Sequence, residues 1–411
     1  MKKKTPDAVL TPGLICLMAV ATGLLVASNY YSQPLLDTIA TQFGVTAGMA
    51  GFIVTAAQLS YAAGLMFIVP LGDKFERRNL IVTLTLLSAI GLLISALSQT
   101  LWQLLLGTAL AGMFSVVAQV LIPLAATLAK PQHRGKAVGI IMSGLLLGIL
   151  LARTVAGVLA EFGGWRTIYW VASGLLVLLA LILWFRLPQY KQVSDLKYRQ
   201  LLVSIVVLFV RTPVLRVRAA LGAIAFASFG LLWTSMAFLL SSDPFNYSES
   251  TIGLFGLAGA AGALMAGQAG RFVDKGKGRQ TTSAGLLLLL LSWIPIAFAG
   301  YSVAAFIAGV VILDLAVQAI HVTNQSTLYR MMPEARSRLT AGYMTCYFLG
   351  GALGSLLSGY AYSHYGWIGV CYSGGALSVT GLVIWLAGKK HDVPQITDTP
   401  CRQHASDNAS L

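Results

Sequence analysis

The sequence predicts an all-α membrane protein, with twelve transmembrane helices arranged as two pseudo-symmetric six-helix bundles. Three observations carry that prediction: a composition 57% hydrophobic and only 10% charged, a series of apolar runs long enough to cross a bilayer, and a second half that echoes the first. A soluble chain of 411 residues with this composition would lack the polar surface to stay in water. The net charge of +14 is a feature shared with nucleic-acid binders. Here, however, the basic residues fall in short clusters between apolar runs rather than on one face, so no nucleic-acid partner is expected.

About 20 mainly apolar residues are needed per crossing. On that criterion spans 1 to 6 lie near residues 13–36, 47–71, 79–98, 101–128, 136–160 and 166–186. Spans 7 to 12 lie near 218–240, 251–271, 281–300, 302–328, 339–362 and 366–388. The expected domains are an N-terminal bundle over 1–186, a central linker over 187–217, a C-terminal bundle over 218–390 and a disordered tail over 391–411. Met1 to Lys4 followed by an apolar run has the shape of a signal peptide. The run continues to about Leu36 and further spans follow, so it reads as an uncleaved first span. Within the linker, the apolar run from Leu201 to Val210 is too short to span and suits a helix lying in the cytoplasmic interface.

Charge sets the orientation, because cytoplasmic loops accumulate Lys and Arg. With twelve spans both termini share one side. That side also holds the clusters Lys74–Arg78, Lys130–Lys136, Arg186–Arg218, Arg271–Arg279 and Arg330–Arg338, leaving only Arg153 and Arg166 of the 28 basic residues elsewhere. Both termini are therefore expected in the cytoplasm, with the lipid bilayer as the solvent of the bundle. Cys16, Cys346, Cys371 and Cys401 have no metal-type spacing, and neither a disulfide framework nor a metal site is expected. The five histidines are scattered, and no Gly-x-x-x-x-Gly-Lys-(Ser/Thr) loop occurs, so neither an enzyme site nor an ATP-driven pump is expected, and no cofactor.

The functional clue lies in span 10. Asp314, Gln318, His321 and Gln325 follow one another at steps of four, three and four, which on a helix puts all four along one face of an apolar rod. A carboxylate in hydrocarbon costs several kcal/mol even on the lenient insertion scale of about 3 kcal/mol. Asp314 must then face protein or a watery cavity, either as a proton carrier or as a polar tie to a neighbouring helix. His321 is read as a second proton-coupling residue or an interior hydrogen-bonded histidine. Further candidate cavity residues are Asn29, Tyr30 and Gln33 of span 1, Gln58 and Tyr61 of span 2, Gln119 of span 4, Arg153 of span 5, and Gln318, Asn324 and Gln325 of span 10. Asn29 and Gln33 share a face if span 1 is helical throughout. Arg153 can snorkel to the interface, or point inward to attract an anionic group or meet Asp314. The glycines at 253, 256, 259 and 262 of span 8, and Gly350, Gly354 and Ser358 of span 11, read as smooth packing faces.

The halves repeat at an offset of about 200 residues. Asp73-Lys74 matches Asp274-Lys275, Arg134 and Lys136 match Arg336 and Arg338, and Gly148, Gly157 and Trp165 match Gly350, Gly359 and Trp367. The loop after span 2 reads Val69-Pro70-Leu71-Gly72-Asp73-Lys74-Phe75-Glu76-Arg77-Arg78, and its copy after span 8 ends Asp274-Lys275-Gly276-Lys277-Gly278-Arg279. On these residues the chain resembles the major facilitator superfamily from about Leu10 to Gly388, and its drug and sugar efflux permeases in particular.

The resemblance implies a monomeric secondary transporter in which a small solute crosses by alternating access between parallel halves, as is general for this superfamily. It also implies a conformational latch of Asp73, Lys74, Arg77 and Arg78 reaching span 11 near Arg336, with Asp274, Lys275 and Arg279 as its counterpart at span 5. These contacts are expected to form with the cavity open outward and to break on the inward swing. The sequence departs from the antiporter branch at Thr108, where that branch has an arginine, and after Gly144 and Gly148 in span 5. The function expected is proton-coupled export of a drug-like or sugar-like solute. The alternatives are an uncoupled facilitator, a proton symporter importing a small solute, and a non-transporting membrane sensor or scaffold.

Overall fold

The structure, a computed structural model, describes residues 10–191, 198–259, 268–269, 271–273, 275–331 and 336–388. It is helical throughout, with no strand among the described residues. Nine helices there are long and apolar enough to cross a membrane. Three local features separate that tally from twelve spans. The first helix covers only Pro12–Ala27, span 8 is described in part as Glu249–Leu254 and Phe255–Leu257, and spans 11 and 12 run together as Arg336–Gly388. The last is a chain reversal rather than one rod. Gly366 sits at φ 60° and ψ −158°, a conformation that side chains avoid and that breaks the helix there.

Helix ends follow local chemistry. Thr46 caps Ala47–Phe67 through the Met49 amide, and Thr100 caps Leu101–Phe114 through the Gln103 amide. Glu76 caps Arg77–Leu97 with both carboxylate oxygens, accepting from the Arg78 and Asn79 amides at 2.9 Å each. Span 5 is unbroken from Arg134 to Gly163.

Span 1 differs from the continuous helix its apolarity suggested. After Ala27 the chain turns through residues 28–32, enters the 3-10 segment Gln33–Leu35 and resumes as Leu36–Phe43. Pro34 keeps the α-helical pattern from resuming before Leu36, because it has no N–H to donate to the Tyr30 carbonyl.

Small residues let backbones approach where lipid supplies no hydrophobic drive. A Cβ on Gly23 would lie 2.6 Å from the Gly144 carbonyl oxygen, joining spans 1 and 5. Gly107 meets Ser95 and Gly91 in the same way between spans 3 and 4. Gly350 and Gly354 lie directly on Ala223 and Ala227 of span 7. Between the halves, spans 2 and 11 pack together, as do spans 5 and 8.

Those contacts between halves close one end of the molecule, the end opposite the basic clusters. Gly48 donates its amide to Ser363 Oγ at 2.9 Å, and Gly359 lies against the Gly48 backbone. Gly157 abuts the Glu249 carbonyl, Thr154 donates to the Gly253 carbonyl at 3.0 Å, and Thr38 donates to Glu249 at 2.5 Å. Toward the basic end span 5 stands apart. Residues 132–136 are exposed, and a Cβ on Gly135 or Gly139 would meet nothing within 4 Å among the described residues.

Candidate functional site

Between the halves lies a cavity of about 160 Å³. Its wall from span 10 is the polar stripe: Asp314, Gln318, His321 and Gln325 all line it. The helix Val303–Met331 is continuous through these positions, so the four-three-four spacing becomes a single face. Tyr30, Tyr61, Gln119 and Arg153 line the N-terminal half of the wall. Phe226, Phe229, Tyr347 and Phe348 add an aromatic lining from spans 7 and 11.

Asp314 is 4% exposed, and its one hydrogen bond among the described residues comes from Trp233 Nε1 at 3.3 Å. The same indole carries the guanidinium of Arg153 on its face, 3.9 Å from the ring centroid. Tyr30 at 4.9 Å and Phe229 at 5.4 Å complete an aromatic enclosure around that cation. Arg153 also donates Nε to Gln33 Oε1 at 2.6 Å and Nη1 to its own helix at Ile149. It is 2% exposed and points inward rather than snorkelling. An arginine of one half and an acid of the other thus meet through one tryptophan, at the closed end of the cavity.

Span 8 gives this assembly its room. Gly256 faces the Arg153 side chain, and a Cβ on Gly259 would come within 2.7 Å of Asp314 Oδ2. The glycines at 253, 256 and 259 therefore do more than smooth a packing face: any side chain at 259 would displace the carboxylate.

Several residues expected in the cavity lie elsewhere. Asn29 and Gln33 do not share a helix face, since the chain has left the helix there. Asn29 instead donates to Ser115 Oγ at 2.9 Å inside the N-terminal half. Gln33 stands behind Arg153 rather than on the wall. Gln58 is 1% exposed, beside the turn at Ala57 that packs on Gly112 of span 4, and does not line the cavity. Asn324 is fully buried in the C-terminal half, where it accepts from Arg218 Nη1 at 3.2 Å and donates to the Arg218 carbonyl at 3.1 Å. For Asn29, Gln33 and Asn324 the physical reason is shared: a buried amide needs hydrogen-bond partners, and these three find them in neighbouring helices.

His321 lines the cavity with Nδ1 3.1 Å from the Tyr343 hydroxyl and its ring 4.5 Å from Tyr347. Gln325 reaches Met344 Sδ at 3.5 Å, and Gln119 is hydrogen-bonded to Tyr61. Trp233, Phe226, Phe229, Tyr347 and Phe348 are site residues that the sequence reading missed. The only signal available was the spacing of Phe226, Phe229 and Trp233, which repeats along one helix face.

In the latch region Asp73 pairs with Arg77 of its own loop at 3.6 Å. Arg77 also donates Nε to the Gly72 carbonyl at 3.2 Å, and Arg78 lies over Trp184 of the same half at 4.8 Å. Lys74 follows directly at the end of the 3-10 segment Val69–Asp73. Asp274 lies outside the described residues, as does the side chain of Arg336. Lys275 is exposed on the loop leading into Gly278–Ala297, and Arg279 is exposed in the first turn of that helix.

Two six-helix halves enclosing a polar, aromatic-lined cavity that is sealed at one end define a transporter of small solutes. The Major Facilitator Superfamily model matches residues 18–328 and 221–401, and the chain belongs to that family. It is 63% identical over 383 residues to an uncharacterized transporter, YgaY, of Escherichia coli O157:H7, covering 93% of this chain and 97% of that one. It is 34% identical to the probable transporter SCO4007 of Streptomyces coelicolor, over 92% of this chain and 88% of that one. In fold it is similar to the inward-facing, occupied crystal structure of a bacterial homologue of the human lysosomal transporter Spinster. That match has a TM-score of 0.77 at 16% identity and covers 92% of this chain and 97% of the other.

Proposed function

We propose that this protein is a proton-coupled exporter of a small drug-like or sugar-like solute, in which Asp314 carries the proton. The observation behind this reading is the placement of Asp314: an acid buried in the cavity between the halves, held by a single hydrogen bond from Trp233. A carboxylate so placed changes the charge of the cavity with each proton gained or lost, and that charge bears on which end of the transporter closes.

Arg153 supplies the other half of the mechanism. In the present conformation its cation is packed on Trp233, so the charge of Asp314 has a nearby counter-charge. Opening the sealed end must draw span 5 from spans 7, 8 and 10, which separates Arg153 from Trp233 and uncovers Asp314. A proton from the outside then neutralises the acid. With the cavity again open to the basic end, that proton is released and solute is taken up. Gln119, Gln318, Gln325 and His321 offer both donors and acceptors, and the surrounding rings offer flat apolar faces, a combination suited to an amphipathic or sugar-like molecule. Among more distant relatives, a probable sugar efflux transporter of Helicobacter pylori is 23% identical over 87% of this chain, which favours the export reading.

In this reading both termini are cytoplasmic, the protein works as a monomer in the inner membrane, and the two bundles meet through the linker over 187–217. Asp73, Lys74, Arg77, Arg78, Asp274, Lys275, Arg279 and Arg336 form the latch that closes the basic end in the alternate state. The Asp73–Arg77 pair within one loop is then what remains when the latch is undone. The test is Asp314→Asn in proteoliposomes with an imposed pH gradient. Gradient-driven accumulation is expected to vanish while solute exchange at equal pH persists. Accumulation equal to that of the wild type would remove Asp314 from the mechanism, and no accumulation by the wild type would favour a facilitator.

A further inference from the structure

We propose that the helix Tyr198–Arg211, between the two bundles, holds an anionic phospholipid against the basic end of the protein. The helix has two faces. Leu201 and Ile205 are buried, and Ile205 and Phe209 pack on Gly342 of span 11. The other face opens a groove of about 710 Å³ lined by Arg199, Val203, Val207, Leu208, Arg211 and Arg338, among others.

The groove combines two chemistries that one ligand class satisfies together. Val203 is 50% exposed and Val207 39% exposed, and they form an apolar floor. Arg199 and Arg211 stand at its two ends, roughly 18 Å apart along a helix rising about 1.5 Å per residue. Arg338 flanks it from the start of span 11. No acidic residue lines it among the described residues. A free inorganic anion would use the arginines and leave the valines wet, whereas an anionic lipid of the surrounding bilayer meets both. A phospholipid carries both a phosphate and acyl chains.

The position suits that occupant. Tyr198 donates its hydroxyl to the Phe67 carbonyl at 2.7 Å, at the end of span 2. Two residues after Arg211 the chain enters span 7 at Pro213. The groove therefore sits beside the ends of spans 2 and 7 nearest the basic clusters, the level at which lipid headgroups meet such a bundle.

The experiment uses purified full-length protein in nanodiscs of phosphatidylglycerol and phosphatidylethanolamine, with retained lipid counted by native mass spectrometry. The wild type is expected to retain phosphatidylglycerol in preference. An arginine near a membrane surface contributes about fivefold to binding of anionic lipid. The variant R199Q/R211Q/R338Q should therefore lose that preference by at least about tenfold, while R199K/R211K/R338K keeps most of it. Should the triple glutamine variant fail to fold, R199Q and R211Q alone are each expected to lower retention by about fivefold. Equal retention of both lipids by the wild type, unchanged preference in the glutamine variants, or displacement of the lipid by inorganic phosphate would overturn the proposal.

Discussion

Arg153 decides most of the site's chemistry, and its direction was the part least open to sequence reading. A basic residue two turns from a helix end can reach the interface or the interior, and only the rotation of span 5 against spans 1, 7 and 8 selects between them. Asp314 was different. The energetic cost of a carboxylate in hydrocarbon left few places for it, and its spacing to Gln318, His321 and Gln325 fixed the face. Asn29 and Asn324 carried no comparable constraint, since an amide can be satisfied by any neighbouring helix. Planarity makes Arg153 hard to replace. Lysine keeps the charge but loses the stacked contact with Trp233 and the Nε bond to Gln33. A desolvated cation–π contact is worth about 2 kcal/mol, so Arg153→Lys is expected to lower transport by at least about tenfold. Proteoliposome flux checks this, and an unchanged rate would mean that the stack does not matter.

Among elements, the helices divide by what their glycines touch. Gly354 lies on Ala227 inside the C-terminal half, so a side chain there forces apart two helices of one and the same half. Gly359, five residues on, lies against Gly48 of the other half. Overpacking costs about 1–3 kcal/mol in either place. Gly354→Leu is expected to lower the thermal unfolding midpoint. Gly359→Leu is expected to leave that midpoint nearly intact while slowing transport, because the cost falls only on the conformation sealed at that end. Both are read from one melting curve and one flux assay on each variant. Sequence alone could not sort them, since the two positions belong to the same apolar, small-residue pattern of span 11. Span 1 escaped for a related reason: its apolarity implied one rod, whereas the chain leaves the α-helix after Ala27 and re-enters it at Leu36.

At the scale of the whole molecule, the duplicated half, the number of crossings and the basic end were legible because they rest on composition and on repetition over many residues. The conformation was not, because one sequence must support every state of the cycle. The sealed end is held by contacts between spans 2 and 11, Gly48 with Ser363 and Gly359, and between spans 5 and 8, Thr154 with Gly253.

Trp233 gives that motion an optical signature. Its indole is enclosed by a guanidinium on one face and bonded to a carboxylate at its nitrogen, so the emission of this fluorophore is tied to the company it keeps. In a variant retaining Trp233 as its sole tryptophan, acidifying the outer medium is expected to shift the emission toward longer wavelength as water reaches the ring. A spectrum indifferent to the imposed gradient would mean that the indole stays dry throughout the cycle.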